Sequence, residues 1–554
     1  MFILTHPLAE VPGLPRIVAH SATTQLAPKP IHPPYMEQLD VQEATTPPEP
    51  VYPRGFRLRM TVISLCIVSF LFGLDLTIVA AAVPSLTNYF RSVKDIGWYS
   101  SAYLLSLAAV GLFYGKLYTL FSAKRLYLIS LFIFEAGSLL CTLAPSSIAF
   151  ILGRAVAGLG AAGIAPGSQV ILSQCFPKHR RPLWTTLVSS CQLAGIVSAP
   201  IIGGALIDWV GWQGCFGINL PLGAAAFLII ALGLQVNNDA TSNHDSDWRT
   251  KLRHFDWIGT VLIISALVSL LLALQLGGPY GWRDSRIIAL FVVIPLLLAA
   301  SGWRQYLLQD NAVLPPRIAS MRTVLAGAWF SLCVDGTLAV TEYFISIYFQ
   351  GVKGYTATRS GLLILPLLAG IIVGNAIGGL GITWLGYYNP FMIATTVLAP
   401  IASGLLTTIS LDESLSKAVA LLGFLGLAAG LGLQTPIIAI QTIVKQSDLS
   451  VAISITAFAA TLGNSVWIAV STTLFQSRLN AELASLRTLV NVTQIENAGI
   501  SEIRNLVGGD RLRDVLLGYD EAVIQTLYVP LALAVATVLG SAFTEWHSVK
   551  AKES

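Results

Sequence analysis

"FILGRAVAGLGAAG" (Phe150–Gly163) sets a single charge, Arg154, among small and oily residues. Gly153, Gly158, Gly160 and Gly163 suit a helix whose backbone comes close to its neighbours. In lipid, a charge at mid-depth is costly unless it is paired or faces water. The reading of the whole chain turns on whether this stretch lies in a membrane.

The composition answers that. Of 554 residues, 54% are hydrophobic and 11% charged, against about 25% charged in soluble proteins. Mean hydropathy is +0.70. The chain reads as an integral membrane protein, and a net charge of +4 gives no sign of a nucleic-acid partner. Cys66, Cys141, Cys175, Cys191, Cys215 and Cys333 are scattered, without metal-ligand spacing or the density of a disulfide framework. They read as small buried hydrophobes. The first residues carry too short an apolar run for a signal peptide. Residues 1–52, rich in Pro, Ala and Thr, read as a disordered tail.

A bilayer core ~30 Å thick needs about 20 apolar residues per helix. Fourteen segments meet this, from Met60–Val83 to Val523–Phe543, with Ile287–Gly302, the eighth, the shortest. The expected fold is all-α. Arg54, Arg57 and Arg59, Lys124 and Arg125, Pro177–Arg181, Arg249, Lys251 and Arg253, then Arg304, Arg317 and Arg322 all fall on one side. The positive-inside rule makes that side cytoplasmic, with both termini on it. Trp98, Trp209, Trp212, Trp257, Trp282 and Trp303 sit at span ends, as an interfacial belt requires. A long extracellular loop is expected over 476–521, carrying the glycosylation sequon at Asn491.

Charges inside the spans are few: Asp75, Glu135, Arg154, Asp335 and Glu342. Asp75 lies about fifteen residues into an outward-going span, ~23 Å along it. Arg154 lies about six residues into an inward-going one, ~9 Å from its outer end. In a ~30 Å core the two reach nearly the same level, which permits a pair. Arg154 is expected to line an aqueous pathway. Asp335 and Glu342, seven residues apart, share a helix face with no cation in that half. An apolar surround without a partner disfavours the ionised form, so these two acids are candidates to exchange protons. Every histidine lies in a tail or loop, which leaves proton handling to carboxylates. Glu135 reads as structural.

Several motifs together resemble the major facilitator superfamily, specifically its fourteen-span drug:proton antiporters of the fungal toxin and multidrug efflux type. "GLDLTIVAAAVPSL" (Gly73–Leu86) resembles the family's first-span pattern, with Asp75 as its acid. "GRAVAGLGAAG" (Gly153–Gly163) resembles the fourth-span pattern, whose arginine, here Arg154, is tied to proton coupling. "AGIVSAPIIGGAL" (Ala194–Leu206) resembles the antiporter signature, with Pro200, Gly203 and Gly204 in place. "FDWIGTVL" (Phe255–Leu262) is similar to the opening of the two additional central spans, and "YFQGVKGYTATRSGLLILP" (Tyr348–Pro366) to the link into span ten. Three positions depart from the pattern: Thr119 stands where the superfamily usually has aspartate, Ala199 where the signature prefers glycine, and Gln213 where an arginine is usual.

The resemblance implies two six-helix halves over 53–236 and 304–545, joined by a cytoplasmic linker and two additional spans over 237–303, with a short tail at 546–554. It implies proton-coupled efflux of a small amphipathic toxin, secondary metabolite or drug, by a monomer in the plasma membrane or the vacuolar membrane. Asp75, Arg154, Asp335 and Glu342 would couple protons. In-span polar or aromatic groups, Gln192, Asn219, Asn375, Gln434, Gln441, Asn464 and Trp467, are candidates for a substrate cavity between the halves. The alternative is a transporter for uptake, or for vacuolar import, of a siderophore or basic amino acid. A membrane enzyme or receptor is a distant alternative: HExxH, GxSxG, P-loop lysine and Cys/His clusters are all missing. No metal or cofactor is expected.

Overall fold

A computed structural model describes residues 55–92, 95–234, 255–411, 414–483 and 509–550. Asn491, the basic residues Arg54, Arg249, Lys251 and Arg253, and the tail at 1–52 lie outside the described residues. The first half holds α1 (Phe56–Phe90), α2 (Ile96–Leu120), α3 (Ala123–Thr142), α4 (Ser147–Cys175), α5 (Arg181–Val210), α6 (Gln213–Gly217) and α7 (Asn219–Gly233). Then come α8 (Trp257–Tyr280) and α9 (Ser285–Leu308). The remaining helices are α10 (Pro316–Ala319), α11 (Arg322–Ile347), α12 (Ala357–Leu385), α13 (Asn389–Leu406), α14 (Leu415–Leu433), α15 (Thr435–Ile443), α16 (Leu449–Leu483), α17 (Gly509–Thr526) and α18 (Tyr528–Phe543). Among the described residues the one β pairing is an isolated bridge, Tyr387 to Ser548.

These helices make fourteen stretches long and apolar enough to cross a membrane. Long helices are what lipid demands, because every backbone N–H and C=O must find its partner within the segment. Pro166, Pro200, Pro295, Pro366 and Pro400 each delete one such bond inside a helix. The eighth stretch is longer than its apolar run suggested, Ser285–Asn311, because polar turns extend the helix beyond the oily part. The loop expected over 476–521 is partly helical: α16 runs on to Leu483 and α17 starts at Gly509. Val515, Tyr519 and Ala522 of α17 are buried against Phe344 and Phe475, which holds this helix on the second half.

Packing reveals an internal repeat. In the first half α1 packs on α5 and α7, α2 on α4, and α3 on α4 and α7. In the second, α11 packs on α16 and α18, α12 on α14, and α13 on α14 and α18. The same five pairings occur in the same order. The seams between the halves repeat too: α5 meets α12, and α2 meets α16. The extra helix α8 breaks this relation, since it packs on α2 and α16 and so covers one seam.

The tryptophans divide. Trp209, Trp257 and Trp303 are exposed at span ends, as the interfacial belt requires. Trp212 is instead buried in a ring cluster with Tyr89, Phe90 and Phe150. Trp98 and Trp282 turn inward and line a cavity.

Candidate functional site

Helix α4 is a close-packed slab. A Cβ on Gly160 would stand 2.3 Å from the Phe134 nitrogen of α3, and one on Gly158 would stand 2.4 Å from the Tyr103 carbonyl of α2. With α2 and α3 this near, the Arg154 side chain is enclosed rather than turned toward water. It is 1% exposed and does not line the cavity. The expectation that it faces an aqueous path is corrected by its partners. Nη1 donates to Asp75 Oδ2 at 2.7 Å, Nη2 to the Asp75 carbonyl at 3.2 Å and Nε to the Tyr99 carbonyl at 3.1 Å. The Tyr103 ring lies 4.3 Å from the guanidinium carbon, close enough for a cation–π contact.

Asn219 completes the cluster, donating to Asp75 Oδ1 at 3.3 Å and to Ser138 Oγ at 3.0 Å. It therefore sits with the ion pair and not in the cavity. Glu135 of α3 lies against Gly223 of α7, and neither carboxylate oxygen finds a hydrogen-bond partner among the described residues.

A cavity of about 290 Å³ lies where the two halves meet, near the lower limit for small-molecule sites (about 300–1,000 Å³). Gln192 from α5, Asp335 from α11, Gln434 from the α14–α15 break and Asn464 from α16 all line it. Asp335 is the charged residue in this lining. Gln434 Oε1 and Ser454 Oγ are buried there without a partner among the described residues, two polar atoms a ligand could satisfy. Ser454 was missed in the sequence because a serine in a helix usually bonds its own backbone. Glu342, two turns from Asp335, is exposed and lies outside the lining.

Other polar groups join helices. Asn375 of α12 donates to Ser189 Oγ at 2.9 Å and Ser190 Oγ at 3.2 Å, across the α5–α12 seam. Gln441 of α15 accepts from Thr185 Oγ1 at 3.4 Å and donates to Gln169 Oε1 at 3.4 Å. Arg181 donates to the Gln441 carbonyl at 2.9 Å and to the Ser173 carbonyl at 2.7 Å. Trp467 packs its ring on Gly336, and its indole nitrogen is buried without a partner among the described residues. Among the described residues, hydrogen bonds between the halves run from the end bearing Pro177–Arg181 to about mid-helix. That end is closed.

Basic residues are denser at this closed end but not confined to it, since Arg91, Arg286, Lys353 and Arg359 lie at the other. Here Arg317 reaches Asp448 at 3.0 Å and Asp310 at 3.1 Å, and Lys116 donates to the Asp310 carbonyl at 2.7 Å. The hydrogen bond to Asp448, then that to Asp310, holds the Arg317 pKa above its ordinary range. Of the antiporter-signature residues, Gly203 faces Ile78 and Ala81 of α1, Gly204 has open space around it, and Pro200 is exposed.

The sequence profile of the Major Facilitator Superfamily matches residues 65–468. The chain belongs to the major facilitator superfamily. Among its major facilitator relatives, the MFS-type transporter astH of Aspergillus oryzae is 38% identical over 515 residues, 93% of this chain and 90% of the relative. The efflux pump roqT of Penicillium rubens is 39% identical over 489 residues, 88% of this chain and 90% of the relative. A solved structure of the major facilitator proton:xylose symporter XylE, bound to 6-bromo-6-deoxy-D-glucose, superposes with a TM-score of 0.57 at 13% identity, covering 89% of this chain and 97% of that one. That likeness concerns the fold alone.

Proposed function

We propose that this chain exports a small amphipathic toxin or secondary metabolite, and that protons moving inward drive it. Export is supported by the relatives, of which roqT is named an efflux pump. The observation that carries proton coupling is Asp335, the charged group in the lining of the central cavity. A carboxyl there can be protonated from the open end and deprotonated once the cavity faces the other way. Only a difference in proton affinity between the two states turns this into work on the substrate. Asp75 and Arg154 form the second coupling element: protonating Asp75 would release the arginine and change how α1, α2 and α4 hold together.

In this reading the closed end, with Arg181 and Arg317, faces the cytoplasm. The chain then works as a multi-pass protein of the plasma membrane or the vacuolar membrane. The halves at 53–236 and 304–545 rock about the cavity, with the linker and extra spans at 237–303 between them.

The test uses everted vesicles from cells expressing the full chain, with an imposed pH gradient and the dye Nile red as the cargo. Gradient-dependent accumulation that collapses with a protonophore is expected. Accumulation indifferent to the protonophore would remove proton coupling, and counterflow only in the opposite direction would make the chain an importer.

A further inference from the structure

We propose that the α2–α16 seam holds a second ligand chamber, built for the aromatic part of a neutral amphipathic molecule. The proposal rests on the export reading and adds a site to it. A second cavity of about 440 Å³ lies there, walled by α2, α8 and α16, with Tyr343 of α11. It shares Leu104, Thr461 and Asn464 with the central cavity, so the two are adjoining rooms with a common wall.

Asymmetry between the seams points to a use for this space. At the α5–α12 seam the halves touch directly: Asn375 bonds Ser189 at 2.9 Å, and a Cβ on Gly379 would stand 2.1 Å from Thr186 Oγ1. At the pseudo-equivalent α2–α16 seam the helices part toward the open end, and α8 covers the gap with Leu271 and Leu274. Trp282, from the α8–α9 connection, is fixed by both extra helices. Its ring sits where a Cβ on Gly277 would be 2.5 Å away, and it meets Phe291 of α9 at 6.2 Å between centroids. The extra pair thus supplies a wall and an indole to a cavity that Trp98 of α2 also lines.

The lining specifies the ligand. Among the described residues no charged side chain contributes to it, which argues against an ionic guest. Thr461, Ser465, Thr472 and Gln476 form a polar stripe along one face of α16. The hydroxyls of Thr461, Ser465 and Thr472 donate to their own helix at 3.1, 3.1 and 2.8 Å. Their lone pairs remain as acceptors for donors on a guest, and the amides of Asn464 and Gln476 and the Tyr343 hydroxyl can pair with either donors or acceptors. A ring system stacked on the indoles, with phenolic O–H or amide N–H groups along one edge, meets this pattern. An acyl chain would leave the stripe unused.

Purified full-length protein in nanodiscs is illuminated with 4-hydroxybenzophenone, or with a phosphatidylcholine carrying a diazirine in its acyl chain, and the adducts are mapped by peptide mass spectrometry. The benzophenone should label 465–476 of α16 and the Leu271–Leu274 face of α8. Filling the space with Leu274→Trp should reduce this labelling about fivefold or more, the scale of one lost aromatic contact, while adducts in the central cavity persist as a check on folding. Trp282→Ala should reduce it as well, without added bulk. Benzophenone adducts confined to the central cavity, or chamber labelling by the lipid probe alone, would overturn the proposal. Labelling is an equilibrium readout independent of transport. A protein that labels here but fails the vesicle assay refutes export and spares the chamber; the reverse refutes the chamber.

Discussion

Arg154 Nη1 stands 2.7 Å from Asp75 Oδ2, and each side chain is 1% exposed. Breaking a buried pair leaves one charge stranded, which costs about 3–5 kcal/mol. Arg154→Ala should therefore abolish export and lower abundance together. Arg154→Lys should recover part of both, because a point charge cannot hold a carboxylate and two carbonyls at once. The neutral pair Asp75→Asn with Arg154→Gln separates the roles: abundance should return while proton-driven export does not. Proton-driven export in that double variant would reduce the pair to a structural strut.

Asp335 lines the cavity and Glu342 does not. Asp335→Asn should flatten the pH dependence of vesicle transport while Nile red binding persists, and Glu342→Gln should have the smaller effect. Unchanged pH profiles in both variants would move the proton site elsewhere, with Glu135 the next acid to test.

Closure at the Arg181 end gives a third expectation. Arg181→Gln strands buried carbonyls of Ser173 and Gln441, at about 1–3 kcal/mol. A maleimide applied from that side should then reach Gln434→Cys in the cavity about tenfold faster, since 1.4 kcal/mol is a factor of ten. Equal rates with and without Arg181→Gln would mean that other contacts hold this end shut.

Two glycines give opposite outcomes. Gly160→Ala places a methyl 2.3 Å from backbone of α3 and should lower thermal stability and abundance sharply. Gly204→Ala meets nothing within 4 Å and should leave both unchanged. If Gly204→Ala nevertheless slows export, that glycine acts in a conformation other than this one.

Much of this was legible in the residues. Apolar run lengths set the spans, and depth counting brought Asp75 level with Arg154, which the structure joins. Helix facing was less legible. Asn375, Gln441 and Gln192 are alike in composition and setting, yet only Gln192 lines the cavity, because rotation about a helix axis is set by neighbours. Arg154 was misread as facing water for a related reason: its glycines draw in α2 and α3 on more than one side. Trp98 and Trp282 sit at span ends like any interfacial indole, and only the packing of α8 turns them inward.

The joined Asp75 and Arg154 also bear on the membrane voltage. While the pair stays intact its net charge is zero, so carrying it through the field does no electrical work. An ionised Asp335 is different, because among the described residues no cation is paired with it. Moving that lone charge across the full potential is worth ~2.3 kcal/mol per 100 mV, and protonation cancels it. On the proposed cycle, Asp335 changes the charge the protein carries each time it binds or loses a proton, and Arg154 adds to this only in the step where Asp75 is protonated and the pair opens.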